Sequence, residues 1–145
     1  MHPRPIEHIA QIRVRYADTD QMGIVYYGKY FEYFEVARTE MLRAIGLPYR
    51  AIEENGFQLP VVDASAKYFR GARYDDLLLV KASMKPANSP KLEIEYKIVL
   101  DITGDVIATG ATTLVFIDAR SGKPSRPPAM YREVIKQYLA ETVLE

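Results

Sequence analysis

The feature that most limits the fold is one long helical stripe in a chain otherwise patterned for strands. From Gly28 to Gly46, residues Tyr30, Phe34, Ala37, Met41 and Ile45 recur at spacings of three and four, the period of one helix face. Glu32, Arg38, Glu40 and Arg43 largely fall off that stripe, while Phe31, Tyr33 and Leu42 widen it. This predicts a helix on the order of 25 Å long, buried on more than one side. Gly46 is a C-terminal stop and Pro48 a second one. No comparable helix exists to cover it, so a sheet must do so.

The strands are read from period-two alternation. From His8 to Tyr16, Ala10, Ile12, Val14 and Tyr16 alternate with Gln11, Arg13 and Arg15, which predicts a strand with one buried face. Phe57 to Phe69 reads as a strand after Pro60, with Val62, Ala64, Ala66 and Tyr68 on one face. Asp76 to Lys85 is rich in Leu and Val. Leu92, Ile94, Tyr96, Ile98 and Leu100 alternate with Glu93, Glu95, Lys97 and Asp101. After a hairpin turn at Thr103-Gly104-Asp105, Val106 to Ile117 is apolar on both faces, as a central strand is. Short helices are expected over Tyr49 to Asn55 and Met130 to Leu139. The gaps between the last four strands are too short for helical crossovers, so those strands should pair antiparallel. The expected class is α+β, an antiparallel sheet wrapped around one helix, in a single domain spanning 1–145.

Composition removes several functions. The 145 residues are 48% apolar, with 11 Tyr and 5 Phe, enough for a core and unlike a disordered chain. Nineteen basic residues balance nineteen acidic ones, which gives bulk electrostatics no hold on nucleic acid. The absence of Cys excludes disulfides, thiolate zinc sites and a Cys nucleophile. There is no signal-like apolar stretch at the N-terminus and no run able to span a bilayer, so a cytoplasmic location is expected. Neither G-x-S-x-G nor a P-loop is present. His2 and His8 are the only histidines, and His8, beside a strand, reads as structural or surface. No metal site and no cofactor are expected.

What chemistry remains lies in Tyr16-Ala17-Asp18-Thr19-Asp20-Gln21-Met22-Gly23-Ile24-Val25-Tyr26-Tyr27-Gly28. Two carboxylates stand in a turn just before the long helix, and Gly23 permits a tight bend. The first N–H groups of that helix, around Tyr27 and Gly28, lack intrahelical partners and carry partial positive charge. Such a terminus can polarise a carbonyl. An aspartate nearby could attack that carbonyl or activate water to do so. A thioester suits the site, because a thiolate leaves without strong protonation and no His is needed. Asp18, Thr19 and Asp20 are also ordinary capping and turn residues. Against capping alone, paired aspartates repel, and the helix begins several residues after Asp20.

The run Tyr16 to Tyr30, followed by Phe34-Glu35-Val36-Ala37-Arg38-Thr39-Glu40, resembles the 4-hydroxybenzoyl-CoA thioesterase-like family, and within it the YbgC-type acyl-CoA thioesterases. The likeness extends over about residues 8 to 140, through Gly46-Leu47-Pro48, Tyr68 to Asp76 and Val115 to Ile117. It implies the hotdog fold, about five antiparallel strands around a central helix. It implies hydrolysis of acyl-CoA to free acid and CoA, with Asp20 as nucleophile or general base and Asp18 structural. The backbone N–H of Tyr27 would bind the thioester oxygen, with Gly23, Val25, Tyr26 and Gly28 completing the substrate site. Many YbgC-type members carry His at the position of Tyr27; the hydroxybenzoyl branch carries Tyr. Cations for the CoA phosphates would come from Lys91, with Lys85, Arg70 and Arg73 as further candidates. Glu35 and Arg38 would form a structural i,i+3 ion pair. The family implies a homodimer or a dimer-of-dimers tetramer, with sites between subunits. Alternatives are an acyl-carrier-protein thioesterase and a non-catalytic acyl-CoA-binding protein. Acyl length and aromatic against aliphatic preference stay open.

Overall fold

Lys29–Ala44 forms the long helix, α1, in this computed structural model, which describes residues 2–140 and 142–143, with side chains from Pro3 to Ala140. Tyr30, Tyr33, Phe34, Ala37, Met41 and Leu42 are its buried residues. Its end follows from Gly46, whose φ of +86° suits a residue without a side chain. That bend lets the Leu47 N–H reach the Leu42 carbonyl at 2.8 Å and the Gly46 N–H reach that of Arg43 at 3.0 Å, the two bonds of a Schellman stop. A short helix, α2 (Tyr49–Glu54), follows.

Five strands make the main sheet: β1 (Ile6–Arg13), β2 (Val61–Tyr68), β3 (Leu77–Met84), β4 (Lys91–Leu100) and β5 (Val106–Val115). Their spatial order is β1-β3-β4-β5-β2, and every neighbouring pair is antiparallel. Consecutive pairing holds for β3, β4 and β5. It fails between β2 and β3, because β2 pairs with β5 while β1 takes the free side of β3. The link 69–76 can reach about 26 Å when extended, ample to cross three strand spacings of about 14 Å. Two-residue pairings join His2–Pro3 to Thr142–Val143 and Phe57–Gln58 to Ile117–Asp118.

The inner face of the sheet carries Leu78, Val80, Ala82 and Met84, then Leu92, Ile94, Tyr96 and Ile98, all buried against α1 and its surroundings. Phe34 stacks on Tyr96 with ring centroids 4.5 Å apart and 15° between planes. The Tyr96 hydroxyl lies 2.6 Å from that of Thr112 and accepts from the Arg38 guanidinium at 3.2 Å. Arg38 therefore bonds across to the sheet; among the described residues it makes no ion pair with Glu35, in contrast to the i,i+3 expectation. A C-terminal helix, α3 (Ala129–Ala140), docks through Tyr131 and Ile135, with Tyr131 against Phe116.

Two further expectations are corrected. The first strand covers Ile6–Arg13, not 8–16, and Tyr16 lies exposed in a 3₁₀ turn at Tyr16–Asp18. The chain leaves the sheet there because Asp18 gathers the Arg15 backbone into that turn. In β2 the face of Val62, Ala64, Ala66 and Tyr68 is largely open: Val62, Ala64 and Tyr68 are exposed, and only Ala66 packs against the core. As the last strand of the sheet, β2 lies at the opposite edge from β1 and β3, the strands on which α1 chiefly packs.

Candidate active site

Residues 18–26 fold into a narrow loop stitched across itself. The Tyr26 N–H donates to the Asp18 carbonyl at 2.9 Å and the Asp20 N–H to that of Ile24 at 2.9 Å. Thr19 and Val25 bridge between them. Gly23, at φ +79°, makes the bend and returns its N–H to the Asp20 carbonyl at 3.0 Å. The loop is anchored to segment 71–73 by the Val25 N–H to the Ala72 carbonyl at 2.8 Å and by an Ile24–Arg73 bridge.

The two aspartates have different surroundings. Asp18 is 2% exposed. It accepts from the Arg15 N–H and guanidinium at 3.1 Å each and from the Tyr33 hydroxyl at 2.9 Å, with the Lys29 ammonium 3.8 Å away. Burial raises its pKa, but the bonds from the Arg15 N–H, Tyr33 and the Arg15 side chain together outweigh burial and hold it below the usual carboxylate range. Burial and the bond to Asp18 push the Tyr33 phenol far up. Asp18 is thus a ring of satisfied contacts that fixes the loop to α1. Asp20 is half-buried and less committed. Its Oδ1 accepts from the Met22 N–H at 2.9 Å, the turn role open to any aspartate. Its Oδ2 has no partner among the described residues.

The start of α1 supplies the second half of the site. No side chain caps it. The Lys29 N–H bonds the Tyr26 carbonyl at 2.9 Å and the Tyr30 N–H the Tyr27 carbonyl at 3.4 Å. The N–H groups of Tyr27 and Gly28 have no acceptor among the described residues, so two adjacent amides at the positive end of the helix are available. Around them stand three exposed tyrosine rings. Tyr26 and Tyr27 lie 4.6 Å apart, and the Tyr68 ring meets Tyr27 edge-on at 6.3 Å. The Tyr68 hydroxyl donates to the Tyr27 carbonyl at 3.2 Å.

Of the expected site residues, Asp20, Gly23, Tyr26, Tyr27 and Gly28 fall on this one loop and helix start. Val25, on the same loop, is a core residue, 2% exposed, so its side chain is packed in the interior. Lys91 is misplaced within a single chain. It pairs in register with Val115, whereas Tyr68 pairs with Ala108 and Ala108 with Ile98. Lys91 therefore stands roughly 23 Å along β4 from the strand end that carries Tyr68. Of the other cations, Arg70 is paired with Asp105. Arg73 lies beside the Asp20 loop: its guanidinium is 3.8 Å from where a Cβ on Gly23 would stand. Tyr68 and Tyr33 were read only as strand and core residues, since nothing local links them to residues 41 and 15 positions away.

Comparison with known proteins follows the same lines. Residues 14–137 match the family model described as the thioesterase-like superfamily. The chain is 33% identical to YneP of Bacillus subtilis over 79% of its length and 82% of that protein. It is 29% identical to the acyl-CoA thioester hydrolase YbgC of Escherichia coli, over 87% of this chain and 93% of YbgC. The crystal structure of a DHNA-CoA thioesterase from Staphylococcus aureus superposes with a TM-score of 0.85 at 30% identity, covering 92% of this chain and 91% of that one.

Proposed function

This chain belongs to the thioesterase-like superfamily, and on that premise we propose that it hydrolyses acyl-CoA thioesters to a free acid and CoA, with Asp20 as its catalytic carboxylate. The hotdog fold and the activity of a thioester hydrolase are common to its relatives. The observation that carries the assignment of residues is the pair of unbonded amides at Tyr27 and Gly28, on the same loop-and-helix unit as a carboxylate with one free oxygen.

The thioester oxygen accepts from those amides, which stabilise the charge that develops as the carbonyl becomes tetrahedral. Asp20 either adds to the carbonyl carbon, giving an anhydride that water then opens, or takes the proton of a water that adds directly. In both routes the C–S bond breaks, the electron pair leaves on sulfur, and CoA departs as a thiolate. Arg73, next to Gly23, is the cation proposed for a CoA phosphate.

A homodimer is supported by the exposed edge of β2. A free edge strand with exposed Val61 and Val62 invites a second copy. Two β2 strands paired antiparallel about a two-fold axis lay the Val61 end of one subunit against the Tyr68 end of the other, beside Tyr27. This walls an otherwise open site, and it carries the partner's β4 toward substrate. Sedimentation equilibrium reads this directly: a chain that stays monomeric at working concentration while fully active refutes the shared site.

The activity is tested by thiol release over short, long and aromatic acyl-CoAs. Asp20→Asn, which keeps the Met22 turn bond, should lose activity by about a hundredfold or more and remain folded. An Asp20→Asn protein as active as the parent removes Asp20 from the mechanism.

A further inference from the structure

We propose that Tyr68 is a positioning residue for catalysis, its hydroxyl holding the Tyr27–Gly28 peptide so that the Gly28 N–H faces the thioester oxygen. This rests on the reading of those amides as the carbonyl-binding pair.

The argument begins with peptide geometry. The carbonyl of residue 27 and the N–H of residue 28 belong to one planar trans unit and point in opposite directions. Whatever holds the carbonyl aims the N–H. The helix holds this carbonyl weakly, through the Tyr30 N–H at 3.4 Å, against 2.9 Å for the Lys29 N–H on the preceding carbonyl. The peptide bearing the Gly28 N–H is thus the less firmly held of the two that carry the free amides, and glycine adds backbone freedom there. The Tyr68 bond at 3.2 Å, from a strand 41 residues away, supplies the missing restraint. A bond accepted by a carbonyl also polarises the N–H of the same unit.

This bond is not forced by burial. Tyr68 is 45% exposed, so its hydroxyl could be satisfied by water. Its ring is instead braced against both Tyr27 and Tyr30, the latter 5.4 Å away. Its phenol, like any tyrosine, is protonated at neutral pH and so available as a donor. Tyr68 also belongs to the free edge strand, so the aim of the amides is tied to the strand on which a second copy would pair.

The test compares Tyr68→Phe and Tyr68→Leu in the full chain, on the acyl-CoA that the parent hydrolyses fastest, together with the carbon-13 shift of the Tyr27 carbonyl by NMR. Tyr68→Phe keeps the ring and removes only the hydroxyl. It should lower kcat about tenfold, leave KM within about twofold, and move the Tyr27 carbonyl carbon shift upfield, as loss of an accepted hydrogen bond does. Tyr68→Leu should lose no less. A Tyr68→Phe protein with the parent kcat, or with a change in KM alone, overturns the proposal, and so does activity lost only in Tyr68→Leu, which would mark a packing role. If the parent hydrolyses no thioester, the functional reading fails separately. The Tyr27 carbonyl then still decides whether Tyr68 holds that peptide: an upfield shift of its carbon in Tyr68→Phe supports it and an unchanged shift overturns it.

Discussion

Gly110 lies beneath the ring of Phe34 with no room for a side chain: a Cβ there would stand 2.6 Å from Phe34 Cζ and 2.7 Å from the Ser65 carbonyl oxygen. Both neighbours are fixed. Phe34 is fully buried and stacked on Tyr96, and the Ser65 carbonyl belongs to the adjoining strand β2. The glycine is what lets the central helix approach the sheet at this point.

Gly110→Ala should therefore destabilise the fold by about 1–3 kcal/mol, the usual cost of one methyl too many in a filled core. Urea unfolding checks it, as a lower midpoint at unchanged slope. A midpoint equal to the parent's would mean that Phe34 can move aside at no cost, contrary to its place in the stack.

The depressed pKa of Asp18 makes a pH prediction with a definite sign. A carboxylate whose folded pKa lies below its unfolded value of about 3.9 adds stability above that pH. The contribution is lost as pH falls through the folded value. Asp18→Asn should be less stable than the parent at pH 7, and the gap should narrow below about pH 4. Tyr33→Phe removes one of the bonds that lower the pKa, so its acid loss should be smaller than the parent's and complete at a higher pH. Unfolding curves at a series of pH values read both effects. A gap that stays constant down to acid pH would show that Asp18 does not titrate between the two states.

Legibility in the sequence followed the range of each interaction. Helix α1 and its stop were readable because Tyr30, Phe34, Ala37 and Met41 repeat locally and Gly46 acts on its own turn. The loop carrying Asp20 and the free amides of Tyr27 and Gly28 were readable for the same reason. The position of β2 was not, since alternation in Val62, Ala64, Ala66 and Tyr68 says which side chains share a face but not whether anything covers that face. The bonds from Arg38 to Tyr96, Tyr33 to Asp18 and Tyr68 to Tyr27 join residues 58, 15 and 41 apart, and no local spacing encodes them. Lys91 and Val25 were drawn into the site by position in a motif or a turn. Register places the first at the far end of its strand, and packing puts the second in the core.

Substrate charge gives the last prediction. A hollow of about 340 Å³ beside the Asp20 loop is lined by Ile24, Arg70, Gly71, Arg73, Asp76 and Leu100. Arg70 is occupied by Asp105, while the Arg73 guanidinium has no carboxylate partner among the described residues and lies next to Gly23. An exposed cation of this kind contributes modestly and is screened by salt. Arg73→Ala should therefore raise KM for an acyl-CoA about fivefold at low ionic strength and leave kcat unchanged. The difference should shrink as salt is added. A truncated thioester lacking the nucleotide phosphates should show the same KM with both proteins, because it offers Arg73 nothing to bind. If Arg73→Ala instead lowers kcat on both substrates, the residue acts on the loop that holds Asp20, through the Ile24–Arg73 bridge, and the phosphate must be held elsewhere.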